Sequence, residues 1–436
     1  MSSGAAAFPR AVGAAPIRLP YAHGMTDKSD EKPQSAKSGR PRRRLLRVLA
    51  WSTAAVLVLC AGVGGYVYWR LNSNLRTVDI TGALGSDRPG ASGHGTMNIL
   101  LLGSDSRSGS NGQLAGGSTG GTARSDTAMV IHVNQAHDHA DIVSIPRDTL
   151  VSRPSCPAAK GGGTTPAEDG VMFNTAYEVG GPACAVKTVE SMTGLRMDHY
   201  IELDFSGFAK LIDALGGVTV TTTVAIDDPL SGLHLAAGTH TLDGTQALAF
   251  VRTRHGVGDG SDLGRIELQQ QMMKSILTKV EGMGLLSDPV KLLDIADTAT
   301  SALTTDSELG SVESLVSLAE GMKGITAKDI TAVTMPTVVA PSDPNRLVAL
   351  DPQAADLWTA LAQDQPVPSS VLELQQQDPA TSPTPSAGAT PSAGATPSVG
   401  ATPSTAATPS TGPPSAVGAA AGTAETAAGS AIGPPE

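Results

Sequence analysis

The sequence predicts a layered α/β domain, a central mixed β-sheet flanked by helices, tied to a membrane by one N-terminal transmembrane helix. Three observations carry this. Apolar runs of strand length alternate with amphipathic helical stretches from Met97 to about residue 280. Val48 to Trp69 is a run of 22 residues without a charge, directly behind "PRRRLLR". The charge is also divided: residues 1–47 carry +7, whereas residues 71–436 carry −19 of a total of −11. An acidic body of that kind disfavours a general grip on nucleic acid.

In chain order, residues 1–47 read as a basic, disordered head, with Met1 and Met25 both candidate starts. About 20 apolar residues cross a bilayer core as a helix, so 48–69 is the expected span. The basic cluster before it predicts a cytoplasmic N-terminus and an extracellular body, at the plasma membrane. A cleaved signal peptide fits less well. The run is long for one, and "GYVYWR" is no small-residue cleavage site. Tyr66, Tyr68 and Trp69 suit the outer interface. Residues 70–96 read as an extracellular Gly/Ser-rich stalk.

The domain is expected over 97–364. "MNILLLGSD", "DTAMVIHVN" and "ADIVSIPRD" read as strands. Residues 174–193 read as a helix, "HYIELDF" as a strand, "FSGFAKLIDALGG" as a helix closed by glycines, and "VTVTTTVAI" as β. Arg252 and Arg254, two apart, are expected to share one face of a strand. A helix is expected from Leu263, with Asp262 placed to cap it. Residues 285–364 read as mostly helical with one strand at "ITAVTMPTV". From 365 to 436 the chain is rich in Pro, Ala, Thr and Ser, with "ATPS" recurring every six residues from 389, and is expected to be a disordered tail.

Of three cysteines, Cys60 lies in the span. Cys156 and Cys184 lie in the body, where an extracellular location favours a disulfide over a metal pair lacking His or Cys partners.

Six of the body's eleven arginines, Arg107, Arg124, Arg147, Arg252, Arg254 and Arg265, fall at expected strand ends or adjoining turns, most of them close to an aspartate. Those ends are where α/β sheets build sites. The planar guanidinium matches phosphate oxygens and keeps its charge. Several forks together fit a pyrophosphate. Asp105 and Asp126 would repel that ligand unless a divalent cation lay between, and Mg²⁺ is held by such carboxylates together with phosphates and water; Mn²⁺ is the alternative ion. The competing reading of each pair is a structural salt bridge.

The stretches "NILLLGSDSR", "ARSDT", "SIPRDT", "FNTAYEVGG", "FSGFAKLIDALGGV" and "DGTQALAFVRTRH…DLGRIELQQ" resemble, in order, the LytR–CpsA–Psr family of cell-wall proteins, actinobacterial type. The resemblance implies an extracytoplasmic phosphotransferase. Such an enzyme moves an anionic glycopolymer from a polyprenyl-pyrophosphate carrier to peptidoglycan with Mg²⁺ assistance. By it, Asp105 and Asp126 match the metal carboxylates. Arg124, Arg147, Arg252, Arg254 and Arg265 match a pyrophosphate clamp in which Arg147 is the most critical. Gln269 matches the glutamine of the last motif, and Asp262 matches a motif position, with acceptor base as one suggested role. Leu268 departs from the family, which usually has an arginine there. Three other readings stay open: a membrane-bound transcriptional attenuator, a non-catalytic wall-binding protein, and a polyprenyl-pyrophosphate hydrolase.

Overall fold

The structure is a computed structural model that describes residues 41–91, 95–104, 125–159, 162–254, 262–284 and 288–376. The head before residue 41, the expected tail beyond 376 and the glycine-rich stretch 108–122 lie outside the described residues.

A seven-stranded mixed sheet organises the domain. Its strands are β1 (Arg76–Val78), β2 (Met97–Ser104), β3 (Ser125–Val133), β4 (Ala140–Ser144), β5 (His199–Asp204), β6 (Leu303–Asp306) and β7 (Ile330–Thr334), in spatial order β1-β6-β5-β2-β3-β4-β7. The pairs β1–β6, β5–β2 and β4–β7 are parallel. The other three are antiparallel.

Side chains alternate across a strand, so the continuous apolar runs in β2 and β3 serve both faces. Leu100, Leu102 and Val130 pack on one face against Phe173, Val186 and Val189 of helix α3 (Phe173–Thr193) and Trp358 of helix α9 (Gln353–Ala362). Leu101, Met129 and Ile131 turn to the other face. That face is covered by α4 (Phe205–Ala214), α5 (Gly244–Arg252) and α6 (Asp262–Gly282), which bury Ile212, Phe250, Leu268 and Met272 in a second core. Leu268 therefore fills core space.

α3 is broken at Gly181, where φ is +62°, before Pro182. Glycine tolerates that conformation, and proline has no N–H to continue the ladder. The break sets Cys184 beside Cys156, and the expected disulfide is present with a Cα–Cα distance of 5.3 Å. Gly180 is required in this packing, since a Cβ there would lie 2.4 Å from that of Cys184.

The expected span sits inside one longer helix, α1 (Pro41–Asn74), long and apolar enough to cross a membrane and unburied by the domain. Its last turns pack on the domain. Arg70 donates to Asp297 of α7 (Pro289–Ala302) at 2.8 and 2.9 Å, and Leu71 is buried. Asn72 accepts from the backbone N–H of Val312, which begins α8 (Val312–Gly321).

Three expectations of organisation need correction. Residues 70–96 are not all stalk: β1 is the sheet's edge strand, and α2 (Ile80–Leu84) buries Ile80 and Leu84 in the first core. Residues 285–364 hold more than one strand. β6 joins the sheet, and Thr337–Ala340 pairs with Asp343–Ala349 as a hairpin. "SALTTD" is too short and polar to show its pairing in sequence. Ordered structure also passes residue 365, because α10 (Ser369–Gln376) buries Val371 against the first core.

Candidate active site

The site forms where β3 begins and β4 ends. Asp126 is the second residue of β3. Arg147 follows β4 on a loop pinned by the start of α3: Asn174 N–H donates to the Arg147 carbonyl at 3.2 Å and Phe173 N–H to that of Thr149 at 2.9 Å. Arg265 and Asp262 come from the first turn of α6, and helical spacing puts Gln269, Met272 and Ile276 on the same side.

Arg252 and Arg254 are not on a strand. Arg252 ends α5, and the chain then turns extended at Thr253. A capping box at the other end, between Asp243 and Gln246, starts that helix, and its apolar residues Ala247, Leu248 and Phe250 are spaced for one buried helical face. The apolar run "ALAFV" suits strand or helix equally, and the cap decided it. Arg252 stacks over the Phe205 ring with Cζ 4.9 Å from the centroid.

Asp262 is the hub. Arg265 Nη2 lies 2.6 Å, Arg147 Nε 3.5 Å and Arg254 Nη2 3.7 Å from its Oδ1. The expectation that Asp262 caps α6 fails, because it is itself the first helical residue and its oxygens face the guanidinium groups. Arg147 also donates through Nη1 to Asp126 and lies 3.6 Å from Asp148. Arg265 donates to the Asp126 carbonyl at 3.1 Å. Asp105, Arg107 and Arg124 lie outside the described residues. Gln269 donates to the Val251 carbonyl at 3.2 Å, so it ties α6 to α5 while lining the cavity described below.

Burial works against the charge on Arg147, but Asp126, Asp262 and Asp148 more than offset it and hold the guanidinium above its usual range. Arg265 is more deeply buried, and burial, together with the positive charges of Arg147 and Arg254, pushes it down to about 10 against the pull of Asp262. Both stay charged at neutral pH. Among the described residues, Arg147 Nε, Arg265 Nε and both Asp262 carboxylate oxygens are buried with no hydrogen-bond partner. Close charges in poor hydrogen-bond geometry leave donors for a ligand to use.

A cavity of about 540 Å³ opens at this cluster. Asp126, Arg252, Arg254 and Arg265 line its polar part. Leu101, Met129, Ile131, Phe208, Met273 and Ile276 line the rest. One ligand would meet charge at one end and hydrocarbon at the other.

Sequence reasoning missed Asp228. It is 1% exposed and accepts from Arg254 N–H at 3.0 Å and Leu230 N–H at 3.0 Å, fixing the turn that presents Arg254. "IDDPLSG" marks a turn, but nothing in it points to a partner 26 residues on. Phe205 beneath Arg252 was missed for the same reason.

Residues 67–363 match the LytR_cpsA_psr family. The chain belongs to that family. The cell wall biosynthesis protein LcpA of Corynebacterium glutamicum is 35% identical over 269 residues, covering 57% of this chain and 51% of LcpA. The chain thus spans about half the length of LcpA, and it spans 52% of the probable cell wall biosynthesis protein LcpB of the same organism. The polyisoprenyl-teichoic acid–peptidoglycan teichoic acid transferase TagT of Bacillus subtilis is 29% identical, over 69% of this chain and 90% of its own. Among solved structures, the LytR-Csp2A-Psr enzyme from Actinomyces oris is 24% identical over 66% of this chain and 95% of its own, with a TM-score of 0.49.

Proposed function

We propose that this protein is an extracytoplasmic phosphotransferase that attaches an anionic glycopolymer from a polyprenyl-pyrophosphate carrier to peptidoglycan. The observation that carries it is the cavity with two ends: guanidinium groups of Arg254 and Arg265 at its polar end, beside Arg147, and an apolar part between sheet and helices. A prenyl pyrophosphate has the same division. The name of TagT supports the polymer class, and the apolar helix α1 supports a membrane location, with the basic flank favouring an outward domain.

In the reaction, the acceptor hydroxyl forms a new P–O bond to the phosphate that carries the glycan. The bond from that phosphate to the prenyl phosphate breaks, and the acceptor's proton passes to the departing prenyl phosphate. Arg147, Arg254 and Arg265 hold the charge that grows on the leaving oxygen, which is most of what phosphoryl transfer asks of a protein. Asp262 gathers the three guanidinium groups, a use its contacts support more directly than that of acceptor base.

The three carboxylates of Asp126, Asp148 and Asp262 offset the three guanidinium groups of Arg147, Arg254 and Arg265. A pyrophosphate entering such a cluster is favoured if it brings a cation. Asp126, a hard oxygen donor at the cavity mouth and 28% exposed, fits as one Mg²⁺ ligand beside phosphate and water. Asp105 is the second donor that the resemblance implies. The ion would supply charge neutralisation at the phosphate oxygens.

The test is the full chain in lipid nanodiscs with a polyprenyl-pyrophosphate-linked glycan, peptidoglycan fragments and Mg²⁺. The expected products are a phosphodiester-linked glycan–peptidoglycan adduct and polyprenyl phosphate. Release of polyprenyl phosphate with no adduct would make the protein a hydrolase. No release at all would reject both.

A further inference from the structure

A second contact between the domain and the bilayer follows from how α1 and α7 run. They are neighbours, and Arg70 and Asn74 of α1 face Asp297 and Thr300 of α7. Going one turn up α1 goes one turn up α7, so the helices run in the same direction. The strands confirm it: α1 leads within two residues into β1, α7 leads directly into β6, and β1 and β6 pair in parallel. Moving backwards along α7 therefore means moving towards the apolar stretch of α1.

Asp297 meets α1 at Arg70, the first charge after the uncharged run. Val290 lies seven residues earlier, which is about 10 Å of helix. That brings it level with the later part of the uncharged run, near Val63, about one turn before Tyr66. At this level α7 exposes an apolar group: Val290 is 78%, Leu293 40% and Leu292 38% exposed. Beside it runs a groove lined by Lys274 and Lys279 of α6 and by Lys291. Three of the eight lysines beyond residue 70 thus gather here, in a body of net charge −19. No ion pair engages them among the described residues. Of the nearby carboxylates, Glu267 lines the far part of the same groove two turns before Lys274, Asp288 is used on the Lys291 N–H and Glu281 on that of Ala327, and Asp294 sits a turn nearer the Arg70 clasp.

We propose that the start of α7 and the end of α6 rest in the membrane leaflet next to the domain. Val290, Leu292 and Leu293 enter the boundary between headgroups and acyl chains, and the three lysines meet lipid phosphates. Apolar side chains with lysines alongside are the pattern of an element lying in the interface, and long basic side chains reach out to headgroups from such a position. The Arg70–Asp297 clasp keeps this end aligned with the span. The contact has a consequence for the cavity. Ile276 shares a core with Met283 and Ile295, so the apolar end of the cavity is the end beside the leaflet, and the arginines stand away from it.

The proposal rests on the reading that α1 spans the membrane, and the test separates the two. The full chain carrying Cys60→Ser is spin-labelled at Val56→Cys, Val290→Cys or Leu230→Cys and placed in vesicles containing anionic phospholipid. Accessibility to oxygen, which favours lipid, is compared with accessibility to a water-soluble nickel chelate. Leu230 is 79% exposed on the turn beside Arg254 and serves as the aqueous reference. The ratio at 290 is expected to lie nearer that at 56 than that at 230. A lipid-like 56 with a 290 that matches 230 overturns the leaflet contact alone. An aqueous 56 overturns the span and this contact with it. A label at 290 shielded from both reagents means that protein covers the face, which also overturns it. Adding Lys279→Glu and Lys291→Glu is expected to move 290 towards water, and an unchanged ratio would remove the lysines from the contact.

Discussion

Arg88 and Arg265 are both buried arginines beside a carboxylate, and they do different work. Arg88 and Glu190 are 7% and 2% exposed, and their contacts close on each other. Arg88 Nε reaches both Glu190 oxygens at 3.0 and 3.1 Å, its Nη2 donates to the Met197 carbonyl, and the Met197 N–H returns to Glu190. Arg265 and Asp262 are nearly as buried, at 4% and 11%, but Asp262 is divided among three guanidinium groups and leaves polar atoms unsatisfied. The first arrangement is finished and holds the loop before β2 against α3. The second leaves hydrogen-bonding capacity over, which the proposed function assigns to a phosphate ligand. Burial of an ion pair does not tell a brace from a site; the state of its hydrogen bonds does.

The largest effect that would break this comparison is on Arg88. Arg88→Ala leaves Glu190 buried and unpaired, and is expected to destabilise the protein by about 3–5 kcal/mol in denaturant unfolding. Transfer per folded molecule should be unchanged. A loss below about 1 kcal/mol would place the pair with weak surface bridges.

Arg147→Ala should do the reverse. The protein is expected to fold, because the Asp126 carboxylate left behind is part-exposed and Asp262 keeps Arg265 and Arg254, while turnover falls about a hundredfold or more, the scale for removing one electrostatic stabiliser. Asp126→Asn should in addition raise the Mg²⁺ concentration needed for half-maximal rate. A folded Arg147→Ala with near wild-type turnover would turn the cluster into another brace.

Asp262→Asn keeps the shape and removes the shared charge. A fall of about ten- to a hundredfold is expected, from the loss of charge-assisted contacts. The pH–rate profile should keep its shape if Asp262 only gathers the arginines. Loss of the basic limb would make it the acceptor base instead.

The smallest effect concerns a third kind of pair, His199 with Asp306, whose Nδ1–Oδ2 distance is 3.3 Å. Burial opposes the His199 charge, but the Asp306 carboxylate more than offsets it and raises the imidazole above its usual value. Burial likewise opposes the Asp306 charge, and His199 with the Tyr200 and Leu309 N–H groups holds that carboxyl below its usual value. The histidine's contribution is full below about pH 6.5 and is lost as pH rises through its folded value. That of Asp306 is present above about pH 4 and is lost as pH falls through its folded value. His199→Gln should therefore cost most near pH 5–6, about 0.5 kcal/mol, and progressively less towards pH 8. A difference that grew with pH would contradict the pairing.

What the sequence determined by itself is what local pattern encodes. The uncharged run marks α1, the apolar runs mark β2, β3 and β4, and the glycines after α4 mark its end, because periodicity and backbone preference act over a few residues. Arg147, Asp126, Asp262 and Arg265 were also legible, since arginine set beside aspartate at strand ends shows in the text of the chain. Only the tertiary structure decided the rest. Whether "ALAFVRTR" is helix or strand turned on a cap and on the burial of Phe250. Whether residues 76–78 are stalk or sheet turned on β6, more than two hundred residues away. Arg88 stands next to Asp87 in sequence yet pairs with Glu190, while Arg254 is presented by Asp228. Apart from that cap, which is local, the deciding partner is distant in the chain, and desolvation, which makes a partner necessary, exists only once the chain has closed around it.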